Sequence, residues 1–306
     1  MVDHTNRCLT VSVVIPCSRL IEIDMLRYWF EVSKYPYVGE VIVVLNGQLS
    51  TQNETIISSF GDNDGMVFTT SQTGASTARN HGAKLSKFEL IHFLDDDDLV
   101  CREFYSYGTK ILTDNMELVG VASDVYVLPD GDTTKKYIAR RPLDIISMED
   151  MLYDNYVGLT SCVMVRRDKF FEVFGFDESL SAREDYHLWL RLSKLGRFKR
   201  IKKPLIHWVE HRSTRSLTNS QDILKHKQAL RKIDELREKM GAEFALLFNK
   251  RQARSSNYKY LGRVATRIGV AGYKYRILAF ILYPTVKGLL LLLPDIIFTW
   301  LRRLTK

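Results

Sequence analysis

The sequence predicts an α/β protein with a mostly parallel central sheet, helices on both faces and a helical C-terminal region. Short, nearly continuous β-branched runs recur through the first hundred residues, and longer amphipathic stretches separate them. The chain has 306 residues, of which 45% are hydrophobic, which is enough for one large domain and an appendage. A charged fraction of 26% is ordinary for a folded protein and argues against disorder.

Strands and helices are predicted in alternation up to residue 94. The strands are expected over 11–15, 40–45, 66–70 and 89–94, and the helices over 20–33 and 75–86. Ligands of such sheets bind beyond the carboxyl ends of the strands. Asn46 and an acidic run at 95–98 follow two of these strands.

The pattern changes after residue 118. The expected elements are a hairpin of 119–128 with 135–139, a strand over 161–167, and helices over 183–196 and 220–250. We interpret residues 1–215 as one mixed α/β domain and residues 216–306 as a basic helical region.

Charge is distributed unevenly along the chain. Residues 1–198 have a net charge of −9 and residues 199–306 one of +17. The acidic part suggests metal or catalytic carboxylates, and the basic part suggests an anionic partner. We favour a membrane surface over nucleic acid, because no nucleic-acid-binding motif accompanies the charge.

The cysteines and the N-terminus favour a cytoplasmic protein. No C-x-x-C spacing is present, which argues against a zinc site or a disulfide framework and favours a reducing compartment. The first residues also lack the long apolar stretch of a secretion signal.

Four consecutive carboxylates, Asp95 to Asp98, follow the predicted strand 89–94. Like charges in a partly dehydrated cleft cost on the order of 1 kcal/mol or more per pair, and a divalent cation removes that cost. Mg²⁺ and Mn²⁺ prefer oxygen ligands and substrate phosphates. The alternative is a solvated acidic turn that caps a helix beginning near Leu99. Because capping does not require four carboxylates, we favour a metal–diphosphate site.

Four segments together carry a more specific signal. They are VSVVIPCSR, EVIVVLNG, GASTARNHGAKLSKFELIHFLDDDD and FDESLSAREDYHLWLRLSKLG, spread over about residues 10–215. In order and spacing they resemble the signatures of the family 2 glycosyltransferases, which have the GT-A fold. The resemblance implies an inverting, metal-dependent enzyme that moves a sugar from a nucleoside-diphosphate donor to a hydroxyl group.

The resemblance also implies roles for single residues. Asp95 would lie near the donor ribose, Asp97 would hold the Mn²⁺ or Mg²⁺, and Asp98 would support the loop. Arg79 would contact the nucleotide, although by itself it equally fits a surface arginine. The donor-binding residues expected in this way are Pro16, Asn46, Arg79, Asp95, Asp96, Arg212 and Arg215.

The sequence departs from the family pattern directly after the second predicted strand. Its members often have VVDDGS after the second strand, and the first Asp contacts a uracil base. Here Leu45 takes that place and Asn46 follows. An amide still pairs with a base edge, whereas Asn46-Gly47 also fits a simple tight turn. We favour a UDP-sugar as the donor, although this departure from the family pattern leaves the identity of the base open.

Glu184 and Asp185 open the predicted helix 183–196. An inverting transfer needs a base for the acceptor hydroxyl, and a carboxylate whose pKa is raised by burial suits it. The resemblance aligns Asp185 with that base, and Glu184 is the next candidate. The alternative is an acidic first turn that favours the helix dipole. Trp189, on the same face, either lines an acceptor site or packs in the core.

The segment IHWVEHRSTRSLTN resembles the part of the family that closes over the donor phosphates. It makes His211 a candidate metal ligand, and Arg212 and Arg215 candidates for neutralising the leaving group. His207 fits a structural role better.

Several basic residues between positions 251 and 276 precede the apolar run 277–301, which two prolines and two charged residues interrupt. Its longest uncharged piece is ten residues, short of the ~20 that span a bilayer. The run suits a peripheral or monotopic element at the inner face of the membrane, and a lipid-linked saccharide as acceptor. The alternative is a helical cap or dimer interface.

Other functions remain open at this stage. A Mg²⁺-dependent phosphohydrolase also places Asp pairs after a strand, but its D-x-D-x-T/V pattern is broken at Leu99. A sugar nucleotidyltransferase would have a glycine-rich loop near the N-terminus, where this chain has IPCSRL. A catalytically inactive membrane-bound partner is a further alternative, because of Leu45.

Overall fold

The computed structural model describes residues 8–47, 50–60, 66–210, 220–244, 248–267 and 272–284. The chain divides into two compact units. The first comprises Met1–Met151 and Asn155–Glu210, and the second Leu152–Asp154 and His211–Lys306. The predicted domain boundary, between residues 215 and 216, lies outside the described residues.

The strands of the first unit form one mixed sheet. They are β1 (Val11–Cys17), β2 (Val38–Asn46), β3 (Met66–Ser71), β4 (Leu90–Phe93), β5 (Leu99–Val100), β6 (Leu118–Pro129), β7 (Tyr137–Ala139), β8 (Ile145–Ile146), β9 (Val163–Arg166) and β10 (Arg197–Glu210). The helices of this unit are α1 (Ile23–Ser33), α2 (Thr51–Phe60), α3 (Ala75–Leu85), α4 (Glu103–Asp114), α5 (Met148–Met151), α6 (Arg167–Glu172) and α7 (Glu184–Leu192).

The strand order is β3-β2-β1-β4-β9-β6-β10-β5, and the first four strands of this order run parallel. Their carboxyl ends therefore lie along the same edge of the sheet. The predicted α/β class with a central sheet and flanking helices is confirmed, and each of the four strands predicted before residue 95 is present. The parallel half of the sheet brings the end of β2 and the acidic run after β4 to that edge.

The other half of the sheet is mixed. β9 pairs antiparallel with both β4 and β6, whereas β6 and β10 run parallel. β7 folds back on β6 with Tyr126 opposite Ile138, which confirms the predicted hairpin. The short strands β5 and β8 pair antiparallel with opposite ends of β10.

Two local features differ from the sequence-based expectation. Leu99 and Val100 form β5, paired with Ile206 and His207, and the helix begins only at Glu103. The acidic run is therefore not the cap of a helix at Leu99. The long strand β10 was not predicted, because its first half is rich in Lys and Arg and Pro204 stands in its middle; the register of β10 against β6 shifts around that proline.

Helix α3 lies unusually close to the sheet at Gly82. A Cβ atom at this position would come within 2.9 Å of Val44 Cγ2, and still closer to Val14 Cγ1. Both valines are fully buried in the parallel strands. The absence of a side chain at Gly82 lets α3 approach the carboxyl-terminal parts of β1 and β2.

The described part of the second unit contains α8 (Ser220–Glu243), α9 (Lys250–Arg267) and α10 (Tyr273–Leu282). Helix is thus confirmed over most of the predicted 220–250. The fully buried Arg237 donates to Asp234 Oδ1 at 2.9 Å and to Asn257 Oδ1 at 3.0 Å, which links α8 to α9. Within the described ranges, no helix is both long enough and apolar enough to cross a membrane.

Candidate active site

The acidic run Asp95–Asp98, here called the acidic box, connects β4 to β5. Asp98 is buried, and its Oδ1 accepts a hydrogen bond from the Val209 N–H at 3.0 Å. The Asp98 N–H donates to the Asp95 carbonyl at 3.1 Å and closes a turn. Burial, and then the charge of Asp95, raise the pKa of Asp98 well above its ordinary value. Asp98 fastens the box to β10, which fits the supporting role expected of it.

Ser161 holds the box from the other side. Its hydroxyl accepts a hydrogen bond from the Asp95 N–H at 3.0 Å, and its carbonyl lies 2.8 Å from His92 Nε2. His92 is fully buried, and burial lowers its pKa to about 4, so its ring is neutral. With Nε2–H donating to the carbonyl, Nδ1 must accept from the Tyr105 hydroxyl at 3.0 Å. The sequence did not identify Ser161 and His92 as site residues, because both lie in segments for which it predicts only a strand.

Arg79, on α3, joins the box to the first turn of α7. Its Nη2 donates to Asp95 Oδ1 at 2.7 Å and its Nη1 to Glu184 Oε1 at 3.1 Å. The residue is buried, which excludes the surface arginine considered from the sequence. Burial lowers the pKa of Arg79, but the two carboxylates outweigh it and the net shift is upward. The two predicted carboxylate sites are therefore one site, spanned by a single guanidinium group.

A second arginine, Arg19, neutralises the middle of the box. Its Nη2 lies 2.9 Å from Asp96 Oδ1 and 3.1 Å from Asp97 Oδ2, and its Nε donates to Asp96 Oδ2 at 3.1 Å. The Ser18 N–H lies 3.3 Å from the same Asp96 oxygen. Sequence reasoning did not single out Arg19. The available signal was a basic residue two positions beyond the end of β1, at the ligand-binding edge of the sheet.

Asp185 lies in the first turn of α7. Its Oδ1 accepts from the Tyr186 N–H at 2.6 Å, and its Oδ2 lies 3.4 Å from Asn155 Nδ2. Burial, followed by repulsion from Glu184, raises the pKa of Asp185 from 3.8 to about 6. Because Glu184 is engaged by Arg79, Asp185 is the better suited of the two to accept a proton near neutral pH.

Arg183 and Trp189 lie on either side of Asp185 in the sequence. Arg183, which precedes α7, has a left-handed backbone with φ of 59°, an uncommon and strained conformation for a side chain other than glycine. Trp189 is fully buried, and its indole N–H donates to the Gly158 carbonyl at 3.1 Å. Of the two roles considered for Trp189, the structure gives it the core role.

The end of β2 borders an open cavity of about 650 Å³. Its lining consists of Gly47, Thr70, Ser71, Gln72, Thr73 and His81. Asn46 lies beside it, but its side-chain oxygen accepts from the Gly74 N–H at 2.6 Å, at the start of α3. Pro16 is buried within β1, opposite Val44. Asn46 therefore holds the start of α3 at the rim of the cavity, a contact that neither interpretation of Asn46-Gly47 from the sequence described.

The carboxylates of the box are chemically suited to Mg²⁺ or Mn²⁺, which take oxygen ligands and commonly share substrate phosphates. Across the described residues, however, no group of three His, Cys, Asp or Glu side chains is already arranged around a common point. The carboxylates of Asp95, Asp96 and Asp97 face arginines instead. The other candidates, His211, Arg212 and Arg215, lie outside the described residues.

Comparison with known protein families finds a match over most of this chain. A family model described as "Glycosyltransferase like family 2" matches residues 13–232. An uncharacterised glycosyltransferase of Haemophilus influenzae is 27% identical over 161 residues, which cover 49% of this chain and 53% of that protein. One from Rickettsia typhi is 28% identical over 170 residues, covering 52% and 51%. The chain thus spans about half the length of these curated relatives.

Among solved structures, the fold is similar to that of TarS from S. aureus, residues 1–349. The superposition has a TM-score of 0.54 at 14% sequence identity and covers 92% of this chain and 89% of the other. The same protein in complex with UDP-GlcNAc gives a TM-score of 0.55. At this level of identity the likeness concerns the fold.

The raised pKa of Asp185 predicts a pH-dependent effect on stability. A carboxyl group with a higher pKa in the folded state loses its proton first in the unfolded state, so stability falls as pH rises from 3.8 to about 6. Asp185→Asn removes this ionisation. The change that it causes in the free energy of unfolding should therefore be more favourable at pH 7.5 than at pH 4, by about 3 kcal/mol at most. Urea unfolding at both pH values measures this.

Asp24→Asn, which removes one exposed carboxylate of α1, is measured in parallel as the control. An equal effect of Asp185→Asn at pH 4 and pH 7.5 would mean that Asp185 ionises as it does in water.

Proposed function

The chain belongs to the glycosyltransferase-like family 2, and on that premise we propose that it is an inverting glycosyltransferase. It transfers a sugar from a UDP-sugar to a hydroxyl group of a saccharide acceptor. The observation that supports this best is the double contact of Arg79 with Asp95 and Glu184. Through this contact, the first turn of α7, which carries Asp185, is tied to the acidic box.

Asp185 acts as the general base in this proposal. As the acceptor oxygen attacks the anomeric carbon, Asp185 takes the hydroxyl proton, and the bond from that carbon to the diphosphate oxygen breaks on the opposite face. Its pKa of about 6 leaves it ionised at neutral pH, yet more basic than an exposed carboxylate. Asp185 lies in the first turn of α7, directly after the left-handed Arg183.

The donor diphosphate lies at the acidic box. Asp97, with Asp96 beside it, would hold Mn²⁺ or Mg²⁺, which offsets the negative charge of the leaving diphosphate when bound. Asp95 stays on Arg79 and faces the ribose. His211, Arg212 and Arg215 remain proposed phosphate or metal contacts.

The open cavity at the ends of β2 and β3 would take the base. Its hydroxyl and amide groups, from Thr70 to Thr73, offer both donors and acceptors to the edge of a uracil. The complex of TarS with UDP-GlcNAc, which has a similar fold, supports a UDP-sugar as donor. In this view Asn46 acts by holding Gly74 rather than by pairing with the base.

The acceptor is proposed to be a lipid-linked saccharide, reached at the inner face of the membrane. On α10, the neighbouring Leu278 and Ile281 expose 40% and 66% of their surface. Basic residues of the same helix, Lys274 and Arg276, would gain from anionic lipid, by on the order of 1 kcal/mol each. Most of the apolar run 277–301 lies outside the described residues.

Donor turnover separates this proposal from its rivals. The purified glycosyltransferase should release UDP from a UDP-sugar slowly in water and quickly with acceptor. A phosphohydrolase would release inorganic phosphate, and an inactive partner would release neither.

Asp185→Asn should leave UDP affinity near that of the unchanged protein and lower transfer by about two to four orders of magnitude, the usual contribution of a positioned base. In the unchanged protein, kcat/KM should rise with pH through about 6, as Asp185 loses its proton. Initial rates between pH 5 and 8 and calorimetry with UDP measure both. If a folded Asp185→Asn protein still transfers the sugar at a near-normal rate, Asp185 is not the general base and Glu184 becomes the candidate.

Asp97→Asn should abolish the part of UDP affinity that depends on Mn²⁺, because it removes a charged oxygen ligand. Calorimetric titration of UDP with and without Mn²⁺ tests this, with the exposed Asp24→Asn as control. Unchanged Mn²⁺–UDP affinity in a folded Asp97→Asn protein would remove Asp97 from the metal site.

The double variant Leu278→Asp/Ile281→Asp should weaken binding to vesicles that contain anionic lipid, because it places charge on the proposed membrane face. Leu224→Asp, at an exposed leucine of α8, is the matched control. Co-sedimentation with vesicles measures the bound fraction. If the double variant and the control bind alike, α10 does not contact lipid.

A further inference from the structure

Two arginines contact the acidic box, and they differ in how firmly they are enclosed. The Arg79 side chain is 6% exposed and sits between Asp95 and Glu184, whereas the Arg19 side chain is 33% exposed. Arg79 is therefore almost fully enclosed and held by a carboxylate on each side. Arg19 reaches the box from the rim, so its guanidinium can move into the solvent-facing cleft.

Hydrogen bonds hold the backbone on both sides of Arg19. The Arg19 carbonyl accepts a hydrogen bond from the Cys17 thiol at 3.6 Å, and the Ile21 N–H donates to Asn53 Oδ1 at 3.0 Å. Ile21 is buried, but Ser18 and Leu20 are exposed. A rearrangement here therefore concerns the Arg19 side chain, with the chain on either side anchored.

The contacts of Arg19 fall on the two carboxylates proposed to receive the metal. Asp96 and Asp97 side chains are only 8% and 15% exposed, and the guanidinium covers oxygens of both. A divalent cation that ligates Asp97 Oδ2 competes with the Arg19 Nη2 contact to that oxygen at 3.1 Å. A guanidinium group is also a strong, geometrically matched ligand for phosphate oxygens.

We propose that Arg19 is a diphosphate-binding residue that occupies Asp96 and Asp97 in the donor-free protein and moves to the donor diphosphate when it arrives. Arg19 thereby competes with free Mn²⁺ or Mg²⁺, and the cation binds tightly only together with the nucleotide. The inference rests on the proposed function, because it takes the diphosphate of that donor as the ligand.

Arg19→Gln tests this, since it removes the charge and keeps most of the length. Mn²⁺ alone should bind this variant about tenfold more tightly than the unchanged protein, as measured by the electron paramagnetic resonance signal of free Mn²⁺. UDP affinity in EDTA, measured by calorimetry, should fall about tenfold, because one charge-assisted contact to the diphosphate is lost. The factor by which Mn²⁺ and UDP strengthen each other's binding should shrink accordingly.

Arg27→Gln, on the exposed face of α1, is the control and should change neither affinity. If Arg19→Gln fails to fold, Arg19→Lys replaces it and should shift both affinities in the same directions by less, because a lysine keeps the charge but not the planar fork. Unchanged Mn²⁺ affinity, or unchanged UDP affinity in EDTA, overturns the role of Arg19. Absence of UDP binding to the unchanged protein under all conditions overturns the proposed function itself.

Discussion

The ion pairs of Arg79 are the interaction on which the rest of the site depends. One guanidinium group holds a carboxylate at the end of β4 and another at the start of α7, although the two are 89 positions apart in sequence. A buried arginine between two partly buried carboxylates is costly to form and more costly to break, because removal of one partner leaves an uncompensated charge. The distance between the proposed donor and acceptor sides of the cleft is thereby set by one rigid, planar group.

Further contacts hold the acidic box itself in place. Besides the two arginines, two hydrogen bonds from backbone N–H groups hold the box: the Val209 N–H donates to Asp98 Oδ1, and the Asp95 N–H donates to the Ser161 hydroxyl. The neutral His92 behind Ser161 adds no charge to a region that is already rich in carboxylates. The support behind Ser161 therefore consists of uncharged groups.

The parallel strands and the acidic box were predictable because each depends on local sequence. A buried strand of the parallel half needs an apolar run, and a box needs adjacent carboxylates. Arg19 was not predictable in the same way, since its partners lie 77 and 78 positions away and only the fold determines which carboxylate an arginine reaches. β10 was not predicted for a different reason. Its adjacent exposed residues Lys202 and Lys203 interrupt the alternation of apolar and polar residues that indicates a strand.

The path of β10 limits how this protein can vary in length. The strand shifts register against β6 near Pro204 and continues to Val209, whose N–H holds Asp98. Side chains and hydrogen-bonding groups of a strand alternate with a period of two, so one residue gained or lost between these points would turn the Val209 N–H away from the box. Natural insertions in related chains should therefore accumulate in turns such as Pro129–Asp132 and be rare between residues 204 and 209.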